Sequence, residues 1–329
     1  MRKSLTAAAA TALMLGLAAC SNAEGEQGTA EASTAGGGVA TVRLAVLAPG
    51  SLQWLHAIAD DQGFYGDHGV EIEAIQVQNS SNLVQAVASG SADAGIALGD
   101  NVISAVDEGA DVVMTGALFQ KPALRMFGAE GVQDVAALEG SQVTAGAVEG
   151  GTANLLFYML EENGVDWTST TPVAIPNSSD RIVAMQNGQV DGALLIPPFD
   201  SLAVDEGATL LATYDDFYVQ TPAIVNGTWA EENPEAAAGF TRGLQDAANW
   251  IYDPENEADA VRILQEYASV EAAAAQDAYD FMVGEEIISP GLAIPGEGLT
   301  NIVEVSAAVT GEDVGDFDPA KYIDESYLG

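Results

Sequence analysis

The sequence predicts an α/β fold of two similar lobes, each a mostly parallel sheet flanked by helices, with a ligand cleft between the lobes. The main observation is an internal duplication at an offset of 98 residues. Residues 84–97 align without a gap with residues 182–195, and residues 107–110 align with 205–208. Continuous apolar runs follow both copies, as is typical of strands in a parallel sheet that is covered on both faces. One lobe per copy is the simplest arrangement that accounts for this pattern.

Each copy has the same order of elements. An amphipathic helix ends at a glycine that can adopt the left-handed conformation, and an Asp turn and a short apolar strand follow. The glycine and the aspartate are Gly90 and Asp93 in the first copy, and Gly188 and Asp191 in the second. A weaker match extends both copies toward the N-terminus. We therefore expect a first lobe at 41–128, a second lobe at 129–218, and a helical return at 219–329 that packs on the first lobe.

The N-terminus has the features of an export signal. Arg2 and Lys3 precede an apolar stretch that is shorter than the roughly 20 residues a bilayer span needs. The segment Leu17-Ala18-Ala19-Cys20 then resembles the lipobox of bacterial lipoproteins, in which the cysteine thiol receives a diacylglyceryl group. This resemblance implies a signal peptide at 1–19, a flexible tether at 20–40, and an extracytoplasmic protein anchored to the cell membrane by lipidated Cys20. The alternative, a lone cysteine in a core, does not suit its Gly/Ser/Glu-rich surroundings.

Composition and motifs exclude several classes of function. There are 49 acidic residues against 9 basic ones, for a net charge of −40, so the protein repels nucleic-acid backbones. This field also disfavours highly charged anionic ligands, although high salt would screen it. The sequence has no zinc-binding H-E-x-x-H, no G-x-S-x-G nucleophile elbow and no phosphate-binding loop. We therefore predict a protein that is not an enzyme and needs neither a metal nor a cofactor.

The predicted binding site consists of the loops that follow the strands. Ligands of open α/β sheets bind beyond the carboxyl ends of the strands, and two lobes that face each other bring these loops to one cleft. Five loops qualify, at 49–54, 98–101, 150–152, 177–180 and 196–199. The candidate ligand contacts in them are Ser51, Gln53, Trp54, Gly99, Asp100, Asn101, Gly150, Gly151, Thr152, Ser178, Pro198 and Phe199.

Each candidate also has a purely structural interpretation. Gly150, Gly151 and Thr152 open a helix and could cradle an anion, or they could form an ordinary capped turn. Trp54 and Phe199 could sandwich a flat ligand, or they could pack in the core.

The polar candidates leave the same choice open. Asp100 and Asn101 could bind an amine or amide of the ligand, or they could cap their helix. Ser178 could contact the ligand, although a capping role is favoured. Arg181 could pair with a ligand anion, although a surface position is favoured.

The order and spacing of these features resemble those of a known family. The features are residues 62–65 before Gly69, then Gly90-x-x-Asp93, then 150–152 at a helix start, and then 187–191. They are similar to the periplasmic binding proteins of type II for sulfonates, taurine, nitrate and thiamine-pyrimidine precursors. The resemblance covers about residues 41–329. It implies two hinged α/β domains that close around a small ligand, a monomer, and delivery of the ligand to an ABC permease with its ATPase.

Two alternatives remain beside this transport function. Fungal pyrimidine synthases of thiamine biosynthesis are similar in fold, but they carry a cysteine-rich motif, whereas this chain has only Cys20. The second alternative is a ligand sensor that presents its closed form to a membrane receptor.

Overall fold

The computed structural model describes residues 38–329, so the predicted signal peptide, Cys20 and nearly all of the tether lie outside the described residues. In chain order the strands are β1 (Ala40–Val46), β2 (Val70–Gln76), β3 (Ala94–Ile96), β4 (Val112–Phe119), β5 (Arg125–Gly128), β6 (Gln142–Gly146), β7 (Thr171–Ala174), β8 (Gly192–Leu195), β9 (Thr209–Ala212) and β10 (Thr221–Asn226).

The helices connect and cover these strands. They are α1 (Trp54–Gln62), α2 (Phe64–Asp67), α3 (Ser80–Ala88), α4 (Gly99–Asp107), α5 (Gly151–Glu162), α6 (Ser178–Gln186), α7 (Phe199–Asp205), α8 (Gly227–Glu232), α9 (Pro234–Trp250), α10 (Glu257–Ala268), α11 (Ala272–Gly284) and α12 (Gly296–Thr310).

The strands form two five-stranded sheets, which confirms the predicted two-lobed α/β fold. Their orders are β2-β1-β3-β10-β4 and β7-β6-β8-β5-β9. In each sheet the first three strands are parallel, and the fourth is antiparallel to both of its neighbours. That fourth strand always comes from the chain just after it has crossed between the sheets: β5 follows β4 into the second sheet, and β10 follows β9 back into the first. The chain therefore crosses between the sheets twice, and the strand after each crossing, β5 or β10, is the antiparallel strand of the sheet that it enters.

The duplication corresponds to equivalent elements of the two lobes. Helices α3 and α6 start at Ser80 and Ser178, and strands β3 and β8 start at Ala94 and Gly192, both at the offset of 98. The glycines after the two helices have positive φ angles, 70° at Gly90 and 64° at Gly188, as the left-handed prediction requires.

The repeated aspartates have the same structural role in both lobes. The carboxylate of Asp93 accepts a hydrogen bond from the backbone nitrogen of Arg43 in β1 at 2.8 Å. The carboxylate of Asp191 accepts one from the backbone nitrogen of Gln142 in β6 at 3.2 Å. Each aspartate thus joins the turn before the third strand in the sheet order, β3 or β8, to the second, β1 or β6. The motif is therefore a structural part of the lobe and not a ligand contact.

The lobe boundaries differ in detail from those expected from the sequence. We expected the first lobe to extend to residue 128, but β5 at Arg125–Gly128 pairs with β8 and β9 of the second sheet. The C-terminal segment 219–329 begins with a strand of the first sheet, and its helices α9 and α10 pack on α1. Two later helices also contact the second lobe, since α11 packs on α7 and α12 packs on α5. The return segment therefore contacts both lobes.

Candidate ligand-binding cleft

Loops at the carboxyl ends of the two sheets contact each other directly. The hydroxyl of Ser51, after β1, donates a hydrogen bond to the carbonyl oxygen of Pro197, after β8, at 2.5 Å. The backbone nitrogen of Gly151, at the start of α5, donates to the Oδ2 atom of Asp100 in α4 at 2.9 Å. Both bonds join one lobe to the other. Asp100 of the loop at 98–101 and Pro197 of the loop at 196–199 therefore both lie where the two lobes meet, which is the arrangement that the duplication predicts.

Asp100 places a carboxylate at the amino terminus of a helix from the opposite lobe. A side chain on Gly151 would prevent this approach, because an ideal Cβ atom there would lie 2.4 Å from the Cβ of Asp100. The side chain of Asn101 donates a further hydrogen bond to Asp100 Oδ2 at 3.1 Å. Burial raises the pKa of Asp100 above its ordinary value, and the backbone N–H groups of Gly151 and Asn101 act against that rise. The backbone nitrogen of Gly151, part of the predicted anion cradle, is thus occupied by Asp100, and binding of a ligand anion there stays a prediction.

The first lobe also buries two polar atoms that have no hydrogen-bond partner among the described residues. They are Gln53 Oε1 and Thr221 Oγ1. Gln53 is fully buried, and its Nε2 atom lies 3.5 Å from the carbonyl oxygen of Ile96 at the end of β3. Thr221 begins β10, next to Gln220, whose carbonyl accepts a hydrogen bond from the nitrogen of Gly99. Both unpaired atoms thus lie near the carboxyl end of β3, where the cleft begins.

Arg181 is a buried cation at the corresponding edge of the second sheet. We expected a surface position, and this expectation is wrong, since the residue is only 5% exposed. Its Nε, Nη1 and Nη2 atoms donate to the carbonyl oxygens of Ile175, Leu194 and Pro176 at 2.8, 2.6 and 2.7 Å. Burial lowers the pKa of its guanidinium to about 10. Arg181 joins the end of β8 to the segment after β7, and this backbone bonding explains why it can be buried.

Trp54 is part of the core, which is one of the two interpretations that the sequence left open. The side chain is fully buried in the first-lobe core. Its indole nitrogen donates to the carbonyl oxygen of Ala260 at 3.1 Å, and its ring packs edge-on against Tyr279. Helix α1 begins at Trp54, so this side chain contacts α10 and α11.

The other predicted aromatic, Phe199, does reach the first lobe. It begins α7 and is half-buried, and its Cε2 atom lies 3.9 Å from the position that a Cβ on Gly50 would occupy. Pro198, the residue before it, is buried. These two residues give the second-lobe side of the cleft an apolar surface, and their contact with a ligand stays a prediction.

The remaining candidates have structural roles or stay untested. The nitrogen of Gly99 donates to Gln220, and a Cβ at Gly99 would lie 2.2 Å from the carbonyl oxygen of Val219, so a glycine is needed for the close approach of β10. Ser178 is buried at the first turn of α6, where Asn177 is the N-cap residue. For Asn101, Gly150 and Thr152, contact with a ligand stays a prediction.

Sequence reasoning missed one link between the second lobe and the return segment. Arg125, at the start of β5, donates through Nε to the Oδ2 atom of the buried Asp200 in α7 at 2.9 Å. Its guanidinium carbon also lies 4.0 Å from the ring centre of Phe281 in α11. The link thus joins the return segment to the second lobe. Its only signal in the sequence was the position of Arg125 next to the first crossing.

The described residues contain neither a metal cluster nor a membrane span. In residues 38–329 no group of three or more His, Cys, Asp and Glu side chains is placed to hold a metal ion. Over the same part of the chain, every helix is too short or too polar to cross a bilayer.

The sequence from residue 56 to residue 258 matches the model of the NMT1/THI5-like family. This match covers more than half of the chain. The chain belongs to the NMT1/THI5-like family. No functionally curated protein matches the sequence.

Solved structures similar to this NMT1/THI5-like chain have the periplasmic binding protein fold. The aliphatic sulphonate binding protein SsuA of Escherichia coli is 17% identical, with a TM-score of 0.67 over 86% of this chain and 92% of that one. The nitrate-binding protein NrtA of Synechocystis PCC 6803 is 17% identical, with a TM-score of 0.63 over 74% and 70% of the two chains. A Candida albicans protein with the generic periplasmic binding protein fold is 13% identical, with a TM-score of 0.67 over 88% and 97%. At these identities the similarity establishes the fold.

Proposed function

We propose that this chain is the extracytoplasmic solute-binding component of an ABC importer, and that it captures a small organic ligand by closure of its two lobes. The observation that carries the proposal is the direct contact between the loops at the carboxyl ends of the two sheets, at Ser51–Pro197 and Asp100–Gly151. A ligand that touches both lobes binds the closed arrangement more tightly than the open one, so it shifts the population toward closure. The chain binds and delivers its ligand and is not an enzyme.

The two sides of the cleft differ in chemistry. The first lobe contributes the polar groups of Ser51, Gln53 and Asp100, and the second contributes the apolar surface of Pro198 and Phe199. Such a site suits a ligand with a polar head and an apolar or aromatic body. Sulfonates, taurine-like compounds, nitrate and pyrimidines or other heteroaromatic compounds are the ligand classes to screen. The structural neighbours named for sulfonate and nitrate support this range.

The delivery partner would be a permease with its ATPase, and the chain would act as a monomer held at the membrane by lipidated Cys20. Replacement of Cys20 by serine should release the protein from isolated membranes into the soluble fraction. Retention of the variant in the membrane fraction would contradict the lipobox interpretation without affecting the proposed cleft.

Closure can be measured as a distance between the lobes. In a Cys20→Ser background, nitroxide labels at Gln85 in α3 and Val183 in α6 occupy exposed, equivalent positions of the two lobes. A bound compound should shorten or narrow the distance distribution in pulsed electron resonance. Phe199→Ala should weaken binding of that compound in calorimetry without unfolding the protein, and Phe217→Ala removes an exposed phenylalanine as the matched control. Ligand binding without any change in lobe distance would contradict capture by closure.

A further inference from the structure

The amino terminus of α5 is occupied by a carboxylate of the chain itself. Helix α5 has 12 residues, and its first backbone N–H groups attract anions. Asp100 of the opposite lobe accepts the hydrogen bond of Gly151 there at 2.9 Å. A Cβ on Gly151 would lie 2.6 Å from Asp100 Oδ2, so the carboxylate fills the space in front of this helix. A sulfonate or nitrate could use the same N–H group only after displacing Asp100.

No basic side chain in residues 38–329 forms an ion pair with Asp100. Burial raises its pKa, and only backbone N–H groups, led by that of Gly151, lower it. Arg181, the cation at the rim of the second lobe, directs its three guanidinium nitrogens to backbone carbonyl oxygens. The Asp100 carboxylate is therefore held by N–H groups alone and has no charged partner among residues 38–329.

A second observation indicates what kind of group the first lobe binds. Gln53 is fully buried, and its Oε1 atom has no hydrogen-bond donor among the described residues. Leaving a buried acceptor without a donor costs about 1–3 kcal/mol, so this atom is a ready partner for an N–H group of a ligand. The hydroxyl of Thr221, near the same edge of the sheet, is also without a partner. The first lobe thus has one buried acceptor without a donor, Gln53 Oε1, and one hydroxyl that can donate or accept.

We infer that Asp100 selects the ligand by charge, so that the cleft takes a nitrogen-containing group that donates N–H hydrogen bonds and rejects sulfonate, nitrate and carboxylate heads. This inference rests on the proposed solute-binding function and narrows its ligand class. A cationic amidine or amine would gain from the carboxylate, and a neutral amide or aminated heteroaromatic ring would use its N–H groups on Asp100 and Gln53. An anion would meet the Asp100 charge at the helix terminus where it would otherwise bind.

The test compares ligand heads on one body. Benzamidine, benzamide and benzenesulfonate carry a cationic, a neutral and an anionic head on the same ring, and acetamidine, acetamide and methanesulfonate repeat the series without the ring. Each compound is titrated calorimetrically into the full-length protein and into the variants Asp100→Asn and Asp100→Ser. Two variants are used so that poor folding of one does not decide the result. Glu149→Gln removes an exposed carboxylate just before the α5 loop and serves as the matched control.

For the wild-type protein we expect tighter binding of the amidine or the amide than of the sulfonate in at least one series. Loss of the carboxylate should reduce the ratio of the two affinities about 10- to 150-fold, which corresponds to the contribution of one hydrogen bond to a charged group. Glu149→Gln should leave it unchanged. The inference is overturned if the sulfonates bind the wild-type protein best, if no amidine or amide binds it, or if both Asp100 variants keep the wild-type preference.

The lobe-distance measurement separates this inference from the proposed function. Closure of the labelled lobes by a sulfonate or by nitrate would overturn the charge selection and leave capture by closure intact. Binding of an amidine or amide with an Asp100-dependent preference, but with no change in lobe distance, would contradict closure and leave the charge selection intact.

Discussion

Replacing Gly151 by alanine should separate the two lobes without unfolding either. An ideal Cβ at this position would lie 2.4, 2.5 and 2.6 Å from the Cβ, Cγ and Oδ2 atoms of Asp100. Carbon atoms in contact keep about 3.5–4.0 Å between them, so Asp100 or a whole lobe must move by about 1 Å. The 2.9 Å hydrogen bond from Gly151 to Asp100 is then lost or lengthened.

The expected magnitude follows from these two effects. Overpacking of this kind costs about 1–3 kcal/mol, and a hydrogen bond to a charged group contributes about 1.5–3 kcal/mol. Because the lobes can relieve the clash by opening, we expect the closed arrangement to lose about 1–3 kcal/mol, or roughly 5- to 150-fold in population. The folded state should keep its stability, since Gly151 lies in the first turn of α5 and lacks the positive φ that would exclude alanine.

The assay is the lobe distance between labels at Gln85 and Val183 in the Cys20→Ser background. Gly151→Ala should lengthen or broaden the distance distribution and weaken ligand binding, with little change in the denaturant midpoint. Gly66→Ala is the matched control, because a Cβ at Gly66 would meet no atom within 4 Å. An unchanged distance distribution together with unchanged affinity would refute the interpretation that Asp100 and Gly151 hold the lobes together.

Three further predictions concern stability. Burial lowers the pKa of His56 to about 4 from 6.5, so the unfolded chain binds the proton more readily. Lowering the pH from 6.5 to 4 should therefore reduce the free energy of unfolding by up to about 3 kcal/mol. Urea titrations at pH 7 and 5 should show a weaker dependence of the free energy of unfolding on pH in His56→Gln. Trp54→Ala should cost about 3–5 kcal/mol of stability as a core truncation, and Trp54→Phe should cost less, as measured by urea unfolding. Arg125→Met should cost about 3–5 kcal/mol, because it leaves the buried Asp200 carboxylate without its cation, and Asp200→Asn in the same chain should recover part of that loss.

The sequence was sufficient to predict the parts of the fold that are repeated. The helices at Ser80 and Ser178 and the strands at Ala94 and Gly192 start 98 residues apart, as the alignment requires. Local chemistry makes this possible, since a glycine in the left-handed conformation ends each helix, and each repeated aspartate bonds to a backbone nitrogen in the same lobe. Such features need only the residues of their own copy.

Two side chains depend on contacts that the sequence pattern does not reveal. The indole of Trp54 bonds to Ala260 and packs on Tyr279, both in helices that lie outside the duplication. Arg181 is buried because three carbonyl oxygens surround its guanidinium, and the sequence does not reveal where backbone carbonyls converge. The same applies to Asp100 and Gly151, which the sequence placed in separate loops and which bond to each other across the lobes.

The two copies differ most where they face the cleft, and this difference accounts for a site with two unlike sides. At the offset of 98, Gly99-Asp100-Asn101 corresponds to Pro197-Pro198-Phe199, so one loop carries a carboxylate and an amide while its equivalent carries only apolar side chains. The scaffold beneath them is the same, because Asp93 and Asp191 fix both turns in the same way. The loops themselves also differ in backbone, since α4 begins at Gly99 whereas α7 begins beyond the equivalent Pro197, at Phe199. The first-lobe loop should therefore determine the charge of the ligand that binds, and the second-lobe loop should determine the size of its apolar body.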